Sequence, residues 1–150
     1  MSQIEKLLPL ENIALDLDAS SKKRAFEQAG LLFEKNQGLA RSIVFDSLFA
    51  REKLGSTGLG QGIAIPHGRI KGLKEATGAF LRLAVPVPFD SPDGKPVSIL
   101  FVLLVPEQAT EQHLQILSEL AQCFSDRARR DALGTAPDAT AVRQLFASKE

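Results

Sequence analysis

The run Gly55-Ser56-Thr57-Gly58-Leu59-Gly60-Gln61-Gly62-Ile63-Ala64-Ile65-Pro66-His67-Gly68-Arg69 carries a glycine-rich loop into a short apolar strand and ends that strand on a histidine. The chemistry it suits is phosphoryl acceptance. An imidazole with an ordinary pKa of about 6.5 is largely neutral near pH 7, so one ring nitrogen can attack phosphorus while the other donates a hydrogen bond that fixes the tautomer. A loose, metaphosphate-like transition state then asks mainly for positioning and charge stabilisation. Arg51, Ser56, Thr57 and the backbone at Gly58 are the phosphate-binding groups on offer, because glycines let N–H groups curl around an anion. Gly68 leaves no side chain beside the imidazole. His113, the second of two histidines, can donate to the phosphoryl oxygens, and the helix it opens brings free N–H groups and a positive dipole end. That dipole opposes protonation, so His113 is expected to act as a neutral donor.

Each residue also has a plain structural reading. A Pro-His-Gly alone can be a loop, and His113 a satisfied residue at a helix start. Arg51 can complement the dipole of its own helix, with Glu52 as its salt-bridge neighbour. Ser56 and Thr57 can be turn residues beside glycines. It is the combination that points to chemistry.

The elements that must position these groups follow from hydrophobic periodicity. Ile13 to Leu17 alternates and reads as a strand, and Ser20 or Ser21 caps a helix to about Asn36 with Phe26, Ala29, Gly30 and Phe33 inward. A second helix, from about Ala40 to Leu54, turns Val44, Phe45, Leu48 and Phe49 inward and delivers Arg51 to its last turn, with Gly55 as a left-handed stop. Ile63, Ala64 and Ile65 form the strand under the histidine. Pro66 cannot extend the ladder, so the chain is expected to leave the sheet before His67, setting the imidazole at a sheet edge. A strand from Thr77 to Val85 and a Pro-Asp-Gly turn from Pro86 to Lys95 follow. Val97 to Val105 is apolar but for Ser98 and reads as a central strand covered on both faces. Thr110 caps a helix whose stripe is His113, Leu117, Leu120 and Phe124, flanked by Leu114, Ile116 and Ala121. Helices around Ala128 to Leu133 and Pro137 to Ala147, separated by Gly134, close the chain.

At 150 residues, with no repeat or linker, the sequence reads as one domain over 1–150. Its 18 basic and 18 acidic residues cancel, which gives no global field for nucleic acid or an anionic membrane. A lone Cys123, no signal peptide and no membrane-spanning run lead to the expectation of a cytoplasmic protein without membrane insertion. Cys123 reads as a core thiol, and the arginines 127, 129 and 130, balanced by Asp126 and Asp131, as a solvated face.

Other chemistries fit poorly. A dinucleotide fingerprint follows a strand and opens a helix, whereas these glycines precede a strand, and there is no Gly-Lys-Ser/Thr of a P-loop. Two histidines and one cysteine without ligand-pair spacing do not make a zinc site, and there is no Gly-x-Ser-x-Gly elbow. No cofactor and no metal are expected.

Glu52 to Gly68, reading EKLGSTGLGQGIAIPHG, closely resembles the active-site signature of the mannitol/fructose-type enzyme IIA domains of the bacterial phosphoenolpyruvate-dependent phosphotransferase system. REKLGSTG followed by GIAIPHGR is most similar to the nitrogen-related branch. The resemblance runs from SKKRAFEQ at 21–28 through FDSPDGKPVSILFVLLVP to EQHLQILSELA, nearly the full chain. It implies an α/β fold with a mixed parallel and antiparallel sheet flanked by helices on both faces. His67 matches the histidine that accepts a phosphoryl group, by the family's habit on Nε2, from an HPr-like phosphocarrier. His113 matches the family's second histidine and Arg51 its arginine before the glycine-rich loop. A nitrogen-type member acts as a stoichiometric phosphohistidine carrier that regulates targets such as transporters or sensor kinases. Two alternatives stand beside this: an interaction module indifferent to phosphorylation, and a sugar-specific IIA component serving a separate permease.

Overall fold

The computed structural model describes residues 3–108 and 111–147, in which six strands form one mixed sheet between two layers of helices. The elements are α1 (Gln3–Leu7), a single 3-10 turn at Leu10–Asn12, β1 (Ile13–Leu17), α2 (Lys22–Gln37), α3 (Arg41–Lys53), β2 (Gly58–Gly60), β3 (Ile63–Ala64), β4 (His67–Ile70), β5 (Thr77–Val87), β6 (Val97–Pro106), α4 (Glu111–Ser125), α5 (Arg127–Thr135) and α6 (Ala139–Ala147). The sheet order is β1-β5-β6-β3-β2, with β4 also paired to β6. The fold class anticipated above holds.

β6 is the central strand the apolar run requires. From Ile99 to Val105 its alternate residues feed two cores. Ile99, Phe101, Leu103 and Val105 pack with α1, α4, α5 and α6. Leu100, Val102 and Leu104 pack with α2 and α3. Phe146 of α6 fixes the first layer, meeting Phe80, Phe101 and Phe124 edge-on with centroids 5.9, 5.4 and 6.0 Å away. Arg82 of β5 donates to the carbonyls of Leu133 and Ala136, satisfying acceptors at the end of α5.

α2 starts as its sequence indicates, with the Ser21 hydroxyl accepting from Arg24 N–H at 3.1 Å, and it stops at Gly38, which takes the left-handed φ of 71°. Several boundaries differ from the sequence reading, for local reasons. The glycine-rich loop contains β2, whose hairpin with β3 turns at Gln61 and Gly62, both at positive φ. The chain does not leave the sheet before His67: Pro66 breaks only the ladder's N–H side, while its carbonyl accepts from Leu103 N–H, and β4 begins at His67. α3 ends on Leu54, and Gly55 takes φ +156° rather than the left-handed helical value. β5 runs on through Pro86 to Val87, Gly134 lies inside α5, and Ala121 is exposed. Arg129 and Arg130 are half-buried, the latter donating to Phe124 O, so that basic cluster is only partly a solvated face. The proposed cap Thr110 lies outside the described residues.

Gly78 of β5 lets α1 approach the sheet: a Cβ there would stand 2.8 Å from both Leu7 Cδ1 and Phe101 Cε1. Gly78→Ala is expected to cost about 1–3 kcal/mol by overpacking. A urea unfolding curve with an unchanged midpoint would contradict this account of the α1 contact.

Candidate functional site

The site is built on an unbroken parallel register. Ile63 and Ala64 lie beside Ile99 and Leu100, and His67 and Gly68 beside Leu103 and Leu104, so residues 63–70 follow β6 without slipping. Paired residues share a face of a sheet. His67 therefore projects with Ile63 and Ile65 toward the α4 layer, and Gly68 toward α3. The expectation of an edge position holds, because β4 pairs only with β6.

Across that edge the structure brings Arg51, His67, Gly68 and His113 to one cleft of about 400 Å³, whose apolar walls include Leu103, Val105 and Leu117. Arg51 arrives from the last turn of α3, on the opposite layer, and its guanidinium bends to donate to Gly55 O at 2.8 Å. That bond serves the helix end, as the plain reading of Arg51 has it, while the residue still lines the cleft. His113 is half-buried in the first turn of α4. Leu54 and Leu114 stand on the rim, 84% and 65% exposed.

His67 Nδ1 lies 2.9 Å from the carbonyl oxygen of Ile65. A carbonyl only accepts, so Nδ1 carries the proton and Nε2 keeps the lone pair. Burial lowers the His67 pKa below its usual value, and the Arg51 charge lowers it further. The bond to Ile65 and the negative charge of Glu52 oppose this without reversing it. The neutral ring is thus the favoured state.

Ser56, Thr57 and Gly58 have a different place from the phosphate-binding one expected of them. None of the three lines the cleft. The Ser56 hydroxyl donates to Phe89 O at 2.6 Å and accepts from Gly58 N–H at 3.0 Å. A Cβ on Gly58 would collide with Ser91 Oγ, so that glycine is needed for packing. The Thr57 hydroxyl donates to Glu52 Oε1 at 2.6 Å and its N–H to Glu52 Oε2 at 3.1 Å. Gly68 does line the cleft, but its missing side chain is where α3 packs: a Cβ would collide with Ser47 Oγ and approach the Ser47 backbone at 3.2 Å.

Glu52 is the residue whose setting the sequence reading missed. It is buried, and it pairs with Lys22 Nζ at 2.9 Å rather than with Arg51. The usable signal was its spacing: Val44, Leu48 and Glu52 follow one another at i+4, and all three are buried. Cys123 is a buried thiol, pushed up in pKa by that burial, as a core role requires. No group of three or more metal-binding side chains occurs among the described residues, and no described helix is long and apolar enough to cross a membrane.

Known proteins resemble this chain over nearly its whole length. Residues 6–149 match the family model for the phosphoenolpyruvate-dependent sugar phosphotransferase system, EIIA 2. A nitrogen regulatory protein of Pseudomonas aeruginosa is 44% identical over 97% of this chain and 95% of its own length. A fructose-specific EIIA component of the phosphotransferase system from Haloferax volcanii is 34% identical over 98% and 96%. The crystal structure of nitrogen regulatory protein IIA-Ntr from Neisseria meningitidis superposes with a TM-score of 0.92 at 58% identity, covering 97% of this chain and 99% of the other.

The depressed His67 pKa has a signed consequence. The unfolded chain, with an ordinary histidine near 6.5, binds a proton more readily than the folded one, so stability present above about pH 6.5 is lost as pH falls toward the lower folded value. His67 is expected to titrate by NMR below the unperturbed midpoint, and His67→Ala to flatten the stability profile in that window. A midpoint at or above 6.5 would contradict the account.

Proposed function

Because the chain belongs to the EIIA type 2 family of the phosphoenolpyruvate-dependent phosphotransferase system, in its nitrogen regulatory branch, we propose that it is a phosphohistidine carrier in which His67 Nε2 accepts a phosphoryl group from an HPr-like phosphocarrier. The observation that carries this reading is the Nδ1–H bond to Ile65 O, which leaves Nε2 unprotonated beside Arg51 and His113. In the transfer the Nε2–P bond forms as the donor's own P–N bond breaks. Each ring keeps the proton on its other nitrogen, and no water is consumed.

Arg51 neutralises charge on the equatorial oxygens, and His113 donates a hydrogen bond to one of them. Ser56, Thr57 and Gly58 act at one remove by holding the loop. The exposed Leu54 and Leu114 beside the cleft suit a protein donor, since a small phosphorylated metabolite has no use for apolar rim surface. Phosphorylation adds about −1.5 to −2 charge at this one patch, enough to recruit or repel regulatory protein targets in the cytoplasm according to their local charge. The 44% and 58% identities to nitrogen regulatory proteins, against 34% to a fructose-specific component, favour regulation over service to a sugar permease.

Incubation with phosphoenolpyruvate, enzyme I and the cognate carrier should add one acid-labile phosphoryl group by intact mass, absent in His67→Ala. No adduct with competent donors would favour the interaction-module reading, and onward transfer in a reconstituted sugar-transport assay would favour the sugar-specific one. Arg51→Gln is expected to slow acceptance by about 10²-fold, the scale of removing one preorganised donor from a developing anion. His113→Ala should slow it roughly tenfold or more, as for a lost hydrogen bond to a charged group. Unchanged single-turnover rates would remove these residues from the transition state.

A further inference from the structure

The Glu52 carboxylate begins a continuous hydrogen-bond path to the imidazole. Thr57 donates to it twice, through Oγ1 at 2.6 Å and N–H at 3.1 Å, and Lys22 Nζ donates at 2.9 Å. The Thr57 carbonyl accepts from Ile65 N–H at 3.0 Å. The Ile65 carbonyl then accepts from His67 Nδ1 at 2.9 Å. Every link is between named atoms at hydrogen-bonding distance.

From this path we infer that Glu52 and Thr57 are a positioning pair, which holds Ile65 so that its carbonyl keeps His67 in the Nδ1–H tautomer with Nε2 free to attack. The claim rests on the phosphocarrier reading for its catalytic meaning, but the tautomer is a property of the unphosphorylated protein. The physical logic is that of groups that orient a reactive imidazole through a hydrogen bond to its other nitrogen. Glu52 is suited to this as a fixed point. Its side chain is 2% exposed, and three donors share its two oxygens. It is also adjacent to Arg51 in the chain, and Gly55, whose carbonyl receives the Arg51 guanidinium, donates its N–H to Glu52 O at 3.1 Å. Glu52 thus holds the turn that carries the arginine through its backbone carbonyl, and the loop that supports the histidine through its carboxylate.

Glu52→Gln keeps the shape but removes the charge and puts an amide NH2 where one oxygen was, facing either the Thr57 hydroxyl or the two donors Thr57 N–H and Lys22. Histidine-labelled protein examined by 15N NMR should show His67 mainly as the Nδ1–H tautomer in the wild type and shifted toward Nε2–H in Glu52→Gln. Thr57→Val, which loses only the hydroxyl, should shift it less. At saturating phosphorylated carrier the transfer rate should fall about tenfold or more in Glu52→Gln, while the carrier concentration giving half-maximal rate stays within about twofold. Because that variant takes away the nearer carboxylate of the Lys22 ammonium and leaves only the exposed Asp90, Lys22→Met is combined with it. The double variant should recover melting temperature yet keep the altered tautomer, which a purely structural role would not do. Wild-type tautomer and rate in Glu52→Gln would overturn the inference, as would restoration of both by Lys22→Met. If the wild type accepts no phosphoryl group while His67 still changes tautomer, the carrier reading fails and the positioning pair stands.

Discussion

The pairing of residues 63–70 along one side of β6 is the constraint on which the site depends. Side chains alternate between the faces of a strand, so a slip of one residue would turn His67 into the α3 layer and Gly68 toward the α4 layer. Nothing at the α3 layer could accept an imidazole, since even a Cβ at position 68 would collide with Ser47. The register is held from both faces: Ile63 and Ile65 have their places in one core, Ala64 and Ile70 in the other. Ser47 Oγ also donates to Arg69 O at 2.9 Å, tying α3 to β4. The edge position of β4 is what lets Arg51, from the far layer, reach the face that His67 occupies.

Holding the His67 segment this way has a cost that the molecule offsets locally. A buried carboxylate without partners loses several kcal/mol of hydration, and removing one member of a buried ion pair typically costs about 3–5 kcal/mol. Glu52 recovers this through Lys22 and both donors of Thr57. Lys22 in turn lies 4.6 Å from the Phe89 ring centroid and 3.8 Å from the exposed Asp90 carboxylate. The network draws on α2, α3, the glycine-rich loop and the segment between β5 and β6, so the loop before β2 is fixed by tertiary partners rather than by its own sequence.

That distribution explains what could be read from the chain alone. β1, α2, α3 and β6 were legible because each carries its own periodicity or composition, and Ser21 marks its helix start outright. His67, Arg51 and His113, which the structure brings to one cleft, were singled out as a set by the resemblance and not by any periodicity of their own. β2 was not, because Gly58 and Gly60 have poor strand propensity and pair only where β3 is already in place. α1 is five residues long, too short for a period, and it is held by Ile4 and Leu7 packing into the core it shares with α4 and α6. The roles of Ser56 and Thr57 were hidden for a related reason. A hydroxyl beside glycines suits an anion or an internal acceptor equally well, and it is the buried Glu52 that engages Thr57 and the Phe89 carbonyl that engages Ser56.

On the proposed phosphocarrier reading, the electrostatics of the cleft favour transfer in one state and recognition in the next. Before transfer, burial keeps His67 neutral and Arg51 adds to that effect, so the nucleophile is available at the cost of a cation held close to an uncharged ring. After transfer the same cation faces a dianionic group. Two unit charges about 4 Å apart attract by roughly 1 kcal/mol in bulk water but by about 4 kcal/mol at the effective dielectric of a protein surface site, so excluding water strengthens the product interaction several-fold. Arg51 and the apolar walls of Leu103, Val105 and Leu117 therefore do one job together: the walls lower the dielectric, and the guanidinium supplies the charge that makes the lower dielectric favourable. A site with Arg51 but open to solvent would hold the phosphoryl group weakly, and one with the walls but no cation would repel it.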